Sequence, residues 1–135
     1  MKRTAVIIRT SEDGKRCIAV DCLNIKVILD YVRQDERHQK KFRHICDIIL
    51  KGYKIRELYD KEEIDVKSKG VRAMKFFKGR DNDRIYCREI TMGDKIFVVI
   101  ASELLKGKKT QKISPRVKNI IHKVASYEYT IEHAK

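Results

Sequence analysis

The residues best equipped for chemistry lie in two stretches: the strand-like run Asp83-Arg84-Ile85-Tyr86-Cys87-Arg88, and an acid-free segment from Lys106 to Lys123. Strand alternation puts Arg84, Tyr86 and Arg88 on one face and Ile85 and Cys87 on the other. An Arg-Tyr-Arg face offers guanidinium donors for phosphates and a ring on which a base can stack. Lys67, Lys69, Arg72, Lys75 and Arg80 precede it, and Lys108, Lys109 and Lys112 follow. Such a concentration of cations predicts a polyanionic partner, with nucleic acid first and an acidic protein second. The plain alternative is a solvated sheet face on which Tyr86 only covers apolar surface.

Charge counting makes this feature local. The chain of 135 residues carries a net +13. Residues 67–88 hold eight Lys or Arg against two Asp, a net +6, and residues 104–123 hold seven cations and no acid. Together these two segments account for the whole excess, and the rest of the chain is neutral by count.

Other chemistries find little support. Cys17, Cys22, Cys46 and Cys87 show no CxxC spacing, and no histidine follows at zinc-finger distance, so the reading predicts no metal and no cofactor. The cysteines read as reduced thiols, with Cys46 and Cys87 among apolar neighbours. His38 and His44 fall on a predicted helix, where solvated positions are expected. His122 falls on the polar face of the last helix and His133 in the tail, so no histidine pair is set to serve as both acid and base. No run approaches the ~20 apolar residues of a membrane span. The apolar run after Met1-Lys2-Arg3 is too short for a secretion signal, which predicts a cytoplasmic protein without a membrane partner.

The elements that must position these residues can be read from periodicity. Residues 4–9 and 16–20 are β-prone runs around Ser11-Glu12-Asp13-Gly14, which predicts a hairpin. Between Asp21 and Leu50 the period becomes helical, with one stripe of Leu23, Val27, Ile28 and Val32 and another of Phe42, Ile45, Cys46 and Ile49. The polar run Arg33 to Lys41 is either an exposed helix face or the bend of a helical hairpin, and Lys51-Gly52 closes the second helix. Residues 53–69 read as a connection with room for one short strand. Three strands follow at 71–78, 84–91 and 96–100, the last apolar on both faces and so expected at the sheet centre. Residues 105–113 form a basic loop. Ser114-Pro115 then begins a helix with the stripe Val117, Ile120, Ile121, Val124 and Ala125. The reading is one α+β domain over residues 1–135, with helices before and after an antiparallel meander.

Several of these pieces resemble one family. Gly70-Val71-Arg72-Ala73-Met74-Lys75-Phe76-Phe77, Asp83-Arg84-Ile85-Tyr86, Lys108-Lys109-Thr110-Gln111-Lys112 and a helix ending at Tyr127 are similar to the RelE/HigB superfamily of toxin–antitoxin toxins, nearest the phage Gp49-like branch. The likeness follows element order from about Leu23 to Tyr129 and residues over about 70–129. Three positions depart: the family's strand glutamate is Ala73 here, its arginine is Lys75, and the aromatic before the double lysine is Lys106. The resemblance implies a RelE-like microbial RNase fold, a helical pair on a twisted antiparallel sheet with a C-terminal helix, here with an added N-terminal β-hairpin. It further implies cleavage of mRNA, free or on the ribosome, and neutralisation by a cognate antitoxin. The motif arginine maps to Arg84 and the lysines to Lys108, Lys109 and Lys112.

RNA can be cut without a metal through its own 2′-hydroxyl. The reaction needs a base for that proton, cations for the transition-state charge and an acid for the leaving 5′-oxygen. On this reading Arg84 clamps the scissile phosphate. Lys109 or Lys112 transfers a proton with its pKa lowered by neighbouring cations. Tyr86 or Tyr127 stacks a base or assists proton transfer. The alternative is a non-catalytic nucleic-acid-binding protein of phage or mobile-element origin that uses the same basic face.

Overall fold

In the computed structural model, which describes residues 1–77, 82–107 and 114–133, the two N-terminal runs form β1 (Lys2–Thr10) and β2 (Arg16–Asp21). They pair as the expected antiparallel hairpin, and Gly14 in the turn takes φ +73°, a conformation glycine adopts without strain. The pairing shifts between Ile7 and Arg9. Ile8 is the extra residue of this bulge, which bends the strand end and re-aims its side chains.

The helical region splits into α1 (Ile25–Arg33) and α2 (Glu36–Lys51). Asp35 makes the break: its backbone is extended, and its carboxylate accepts from the His38 N–H at 2.8 Å as the α2 N-cap. The polar run is therefore a bend at its start and a helix face after it. α2 ends on Gly52 at φ +76°. α1 buries Ile28, Tyr31 and Val32, whereas Leu23 and Val27 remain exposed. The expected stripe is thus rotated. Leu23 precedes the helix, and the face that packs is Ile25, Ile28, Leu29 and Val32, spaced i, i+3, i+4, i+7.

The remaining elements are β3 (Tyr59–Lys61), a 3₁₀ turn (Val66–Ser68), β4 (Val71–Phe76), β5 (Asp83–Thr91), β6 (Phe97–Leu105), α3 (Pro115–Ser126) and β7 (Glu128–His133). The Ser114 hydroxyl caps α3 by accepting from the Val117 N–H at 3.2 Å, with Pro115 in the first helical position. β7 replaces the expected tail. Its alternation of Tyr129 and Ile131 with Glu128, Thr130 and Glu132 suits a strand with one face turned to the core.

All seven strands join one sheet ordered β3-β4-β5-β6-β2-β1-β7. β3 through β6 are antiparallel neighbours, as the meander predicts. β2 lies parallel to β6, and β7 parallel to β1. The sheet is therefore mixed, not the purely antiparallel one expected, and the hairpin is built into its middle. Val98 to Ala101 of β6 and Cys17 to Val20 of β2 are buried on both faces, which is what a central parallel pair requires.

The sheet has a layer on each side. α1 and α2 cover Ile18, Val20, Met74, Phe76, Ile85 and Cys87 on one face. α3 presses Val117, Ile121 and Val124 onto Val71, Ala73, Tyr86 and Leu105 on the other. All four cysteines are free thiols, and burial pushes the Cys46 thiol up to about 12. Among the described residues, no helix is long and apolar enough to cross a membrane.

Candidate nucleic-acid interface

β4 and β5 pair with Val71 opposite Arg88, Ala73 opposite Tyr86 and Lys75 opposite Arg84. Directly opposed residues share a face. Lys75, Arg84, Tyr86 and Arg88 therefore lie together on the α3 side, and the alternation expected for β5 holds. Arg72 opposes Cys87 and lies on the other side. There its Nε is 3.2 Å from Glu89 Oε1, and Glu89 also accepts from the Tyr59 hydroxyl at 2.6 Å. Arg72 is thus separated by the sheet from the cations with which it was grouped.

The expected exposure of the Arg-Tyr-Arg face is corrected. α3 lies over Tyr86, which is 0% exposed, Arg84 is 5% exposed, and Arg88 is half-buried. Tyr127 is 1% exposed and donates to Glu103 Oε2 at 2.5 Å, with the Arg3 guanidinium 4.1 Å from its ring centre. Neither ring offers a free face for base stacking. Burial raises the pKa of both phenols, helped by Glu62 at Tyr86 and by Glu103 at Tyr127, so neither is primed to lose a proton. The reason is packing: α3 carries an apolar stripe that must be buried, and the face holding Val71, Ala73, Tyr86 and Leu105 is where it fits.

Arg84 is held but not saturated. Its Nε is 3.6 Å from Glu62 Oε1, beyond hydrogen-bonding reach. Among the described residues, Arg84 Nε and Nη1 have no hydrogen-bond partner, and neither has the buried Tyr86 hydroxyl or Arg88 Nε. Unpaired buried donors are costly and rare in native proteins. Of these, the Arg84 donors lie at the sheet end, and buried guanidinium N–H groups are the donors that bind an acceptor-rich anion most strongly.

The register also gathers the basic segments. Arg84 opposes Leu105, and Asp83 opposes Phe76. The chain leaves the sheet toward 78–81 and toward 106–113 at this same end. Asp83 ties it down, accepting from the Tyr31 hydroxyl at 2.6 Å and from the Gly107 N–H at 2.8 Å. Lys67 and Lys69 are exposed on and beside the 3₁₀ turn, Lys75 and Arg88 are half-buried, and Lys106 is exposed. Arg80, Lys108, Lys109 and Lys112 lie outside the described residues.

The histidines divide differently from the expectation. His38 is buried, not solvated. Its Nδ1 is 2.7 Å from Asp35 Oδ1 and its ring meets Tyr31 and Phe77 edge-on. His44 is exposed, and His122 Nε2 is 2.8 Å from Asp65 Oδ2. That contact holds the Asp65 carboxyl below the usual range. Among the described residues, no group of His, Cys, Asp or Glu could hold a metal ion.

Two acids were missed by sequence reasoning. Glu62 sits in the polar connection, and nothing local marks it. Only the hydrogen bond from its N–H to the Val71 carbonyl, extending the β3–β4 edge, brings it to Arg84. Glu103 reaches Tyr127 because Ser102 is an extra residue in β6, opposite the step from Tyr86 to Cys87. Beside it, buried Asp21 accepts from Arg3 Nε at 2.6 Å, Arg3 Nη2 at 2.9 Å and the Tyr129 hydroxyl at 2.6 Å. No protein-family model, curated protein or solved structure matches the chain.

Proposed function

We propose that this protein is a metal-independent endoribonuclease acting on mRNA, in the manner of a toxin held in check by a cognate antitoxin. The observation that carries the reading is Arg84: a buried guanidinium whose Nε and Nη1 have no hydrogen-bond partner among the described residues, at the sheet end where the chain turns off toward both basic segments. Arg84 receives the scissile phosphate and stabilises the charge that builds on it. Glu62, 3.6 Å from Arg84 Nε, orients the guanidinium before RNA arrives. The lysines of the 106–112 segment supply further cations and, in Lys109 or Lys112, a proton-transfer group.

A second reading, a nucleic-acid binder without catalysis, is favoured by one observation. Tyr86 and Tyr127 are covered, so neither phenol can assist proton transfer. One experiment separates the two. The chain is expressed from an inducible promoter as wild type, Arg84→Gln and Arg88→Ala, while growth and mRNA integrity are followed. Circular dichroism of the purified proteins checks that they fold. The nuclease reading expects growth arrest and mRNA cleavage with wild type, and loss of both with folded Arg84→Gln. RNA binding that weakens steeply with salt, without cleavage, supports the second reading. Folded wild type that neither binds nor cuts RNA refutes both.

A further inference from the structure

The other side of the sheet carries a feature that the charge count hid. Where β1 bulges, Arg9 opposes Ile18 and faces the helical pair, and Ile8 packs with the core under α1 and α2. The two helices and this strand end enclose an open groove of about 500 Å³. Its floor is apolar: Ile8, Leu29 and Phe42 are half-exposed, and Val32 lies beneath them. Its rim carries Arg9, Arg33 and Arg43 against a single acid, Asp47.

The rim is undersatisfied. Arg9 Nη2 is 2.7 Å from Asp47 Oδ1, and among the described residues Arg9 Nη1 is buried with no oxygen or nitrogen acceptor, its guanidinium lying beside the Cys46 thiol. Among the described residues, the side chains of Arg33 and Arg43 form no ion pair. An apolar floor under unpaired guanidinium groups matches an occupant with apolar side chains on one face and carboxylates beside them.

The shape selects a polypeptide. From Gln39 to Asp47 the groove follows α2 over nine residues, a rise of about 12 Å at 1.5 Å per step. The Arg9–Asp47 bridge closes this end of the groove; the depression beyond it is lined by the β1–β2 turn, including Glu12 and Asp13, and is a separate site with acids of its own. A groove open along two turns of α2 suits a polypeptide segment laid against the helix, and its floor of Ile8, Leu29 and Val32 with the single ring of Phe42 gives successive nucleobases little to stack on.

We propose that this groove receives an acidic, amphipathic segment of a partner protein, two or three helical turns long, with apolar anchors at i and i+4 against Leu29 and Phe42. The proposal rests on the groove and not on the reading of the Arg84 site, which lies on the opposite face of the sheet.

The test is selection of a displayed random peptide library on the folded protein, counter-selected on the Arg33→Glu, Arg43→Glu double variant. Both positions are exposed on helix surfaces, so the variant should fold, and circular dichroism checks it. Enriched peptides should pair apolar residues at i and i+4 with Asp or Glu. Their affinity should fall about tenfold or more on the double substitution and weaken with salt. No enrichment, enrichment without acids, or binding unchanged by the double variant overturns the proposal. So does loss, on that variant, of binding to total RNA or to phosphatidylglycerol vesicles in place of peptide binding. RNA cleavage by the double variant should equal that of wild type. If wild type cuts no RNA, the nuclease reading fails while peptide selection still decides the groove.

Discussion

Tyr127 distinguishes a structural from a chemical role most cleanly. It joins α3 to β7, its ring is buried under Arg3 and against Tyr129, and its hydroxyl donates to Glu103. Tyr127→Phe deletes only the hydroxyl. A hydrogen bond to a charged group is worth about 1.5–3 kcal/mol net. The Glu103 side chain is 19% exposed and regains some hydration when the bond goes, which favours the lower end, about 1.5 kcal/mol. For a domain of this size, about 4 °C per kcal/mol converts that to a loss of roughly 6 °C in Tm. Tyr127→Ala also removes the ring, adding the roughly 3–5 kcal/mol typical of a large aromatic truncated in a core. Urea and thermal denaturation followed by circular dichroism give both values. Under the proposed toxin reading, Tyr127→Phe should arrest growth as wild type does wherever the protein stays folded. An unchanged Tm would refute the structural role. Growth arrest abolished at unchanged Tm would put Tyr127 in the chemistry, against the packing argument.

Asp21 is fully buried and balances Arg3. Asp21→Asn removes the hydrogen-bonded counter-charge of a nearly buried guanidinium and leaves only Glu103 at 4.0 Å, which should cost about 3 kcal/mol in urea unfolding, and a loss below about 1 kcal/mol would refute the pairing. Buried thiols and phenols predict alkaline weakness. Cys46 is held up to about 12 by burial and Tyr59 well above its usual range, so the folded state keeps protons that the unfolded state releases. Their contribution is fully present below about pH 9 and is lost as pH rises toward 12. Cys46 alone gives a slope of about 1.4 kcal/mol per pH unit between 9 and 12. Cys46→Ala should flatten the fall in stability measured by urea titration above pH 9, and an equally steep fall in the variant would remove Cys46 as its source.

How much could be read in advance differs by element. The meander of β4, β5 and β6 was legible because alternation and turn residues are local signals. So was the central place of β6, because an apolar run on both faces has nowhere else to go. The caps of α2 and α3 announced themselves through Gly52, and through Ser114 and Pro115. β7 was overlooked although its alternation was present, because six residues at a chain end carry little weight until β1 is seen to offer them an edge. Glu62 and the groove under Arg33 and Arg43 were not legible at all, since each is assembled from segments distant in sequence.

The sequence by itself determined the α+β class, the free thiols and the two basic segments that carry the net charge. Tertiary structure alone decided which face of β5 α3 covers, that Arg72 lies apart from Arg84, and that β2 pairs parallel with β6. The physical reason is that alternation assigns residues to faces but does not say which face a helix will bury. That choice is made by the fit of one apolar stripe to one apolar patch. Here the fit placed Val117, Ile121 and Val124 over Tyr86, which sealed the ring that had looked free and left Arg84 with donors to spare.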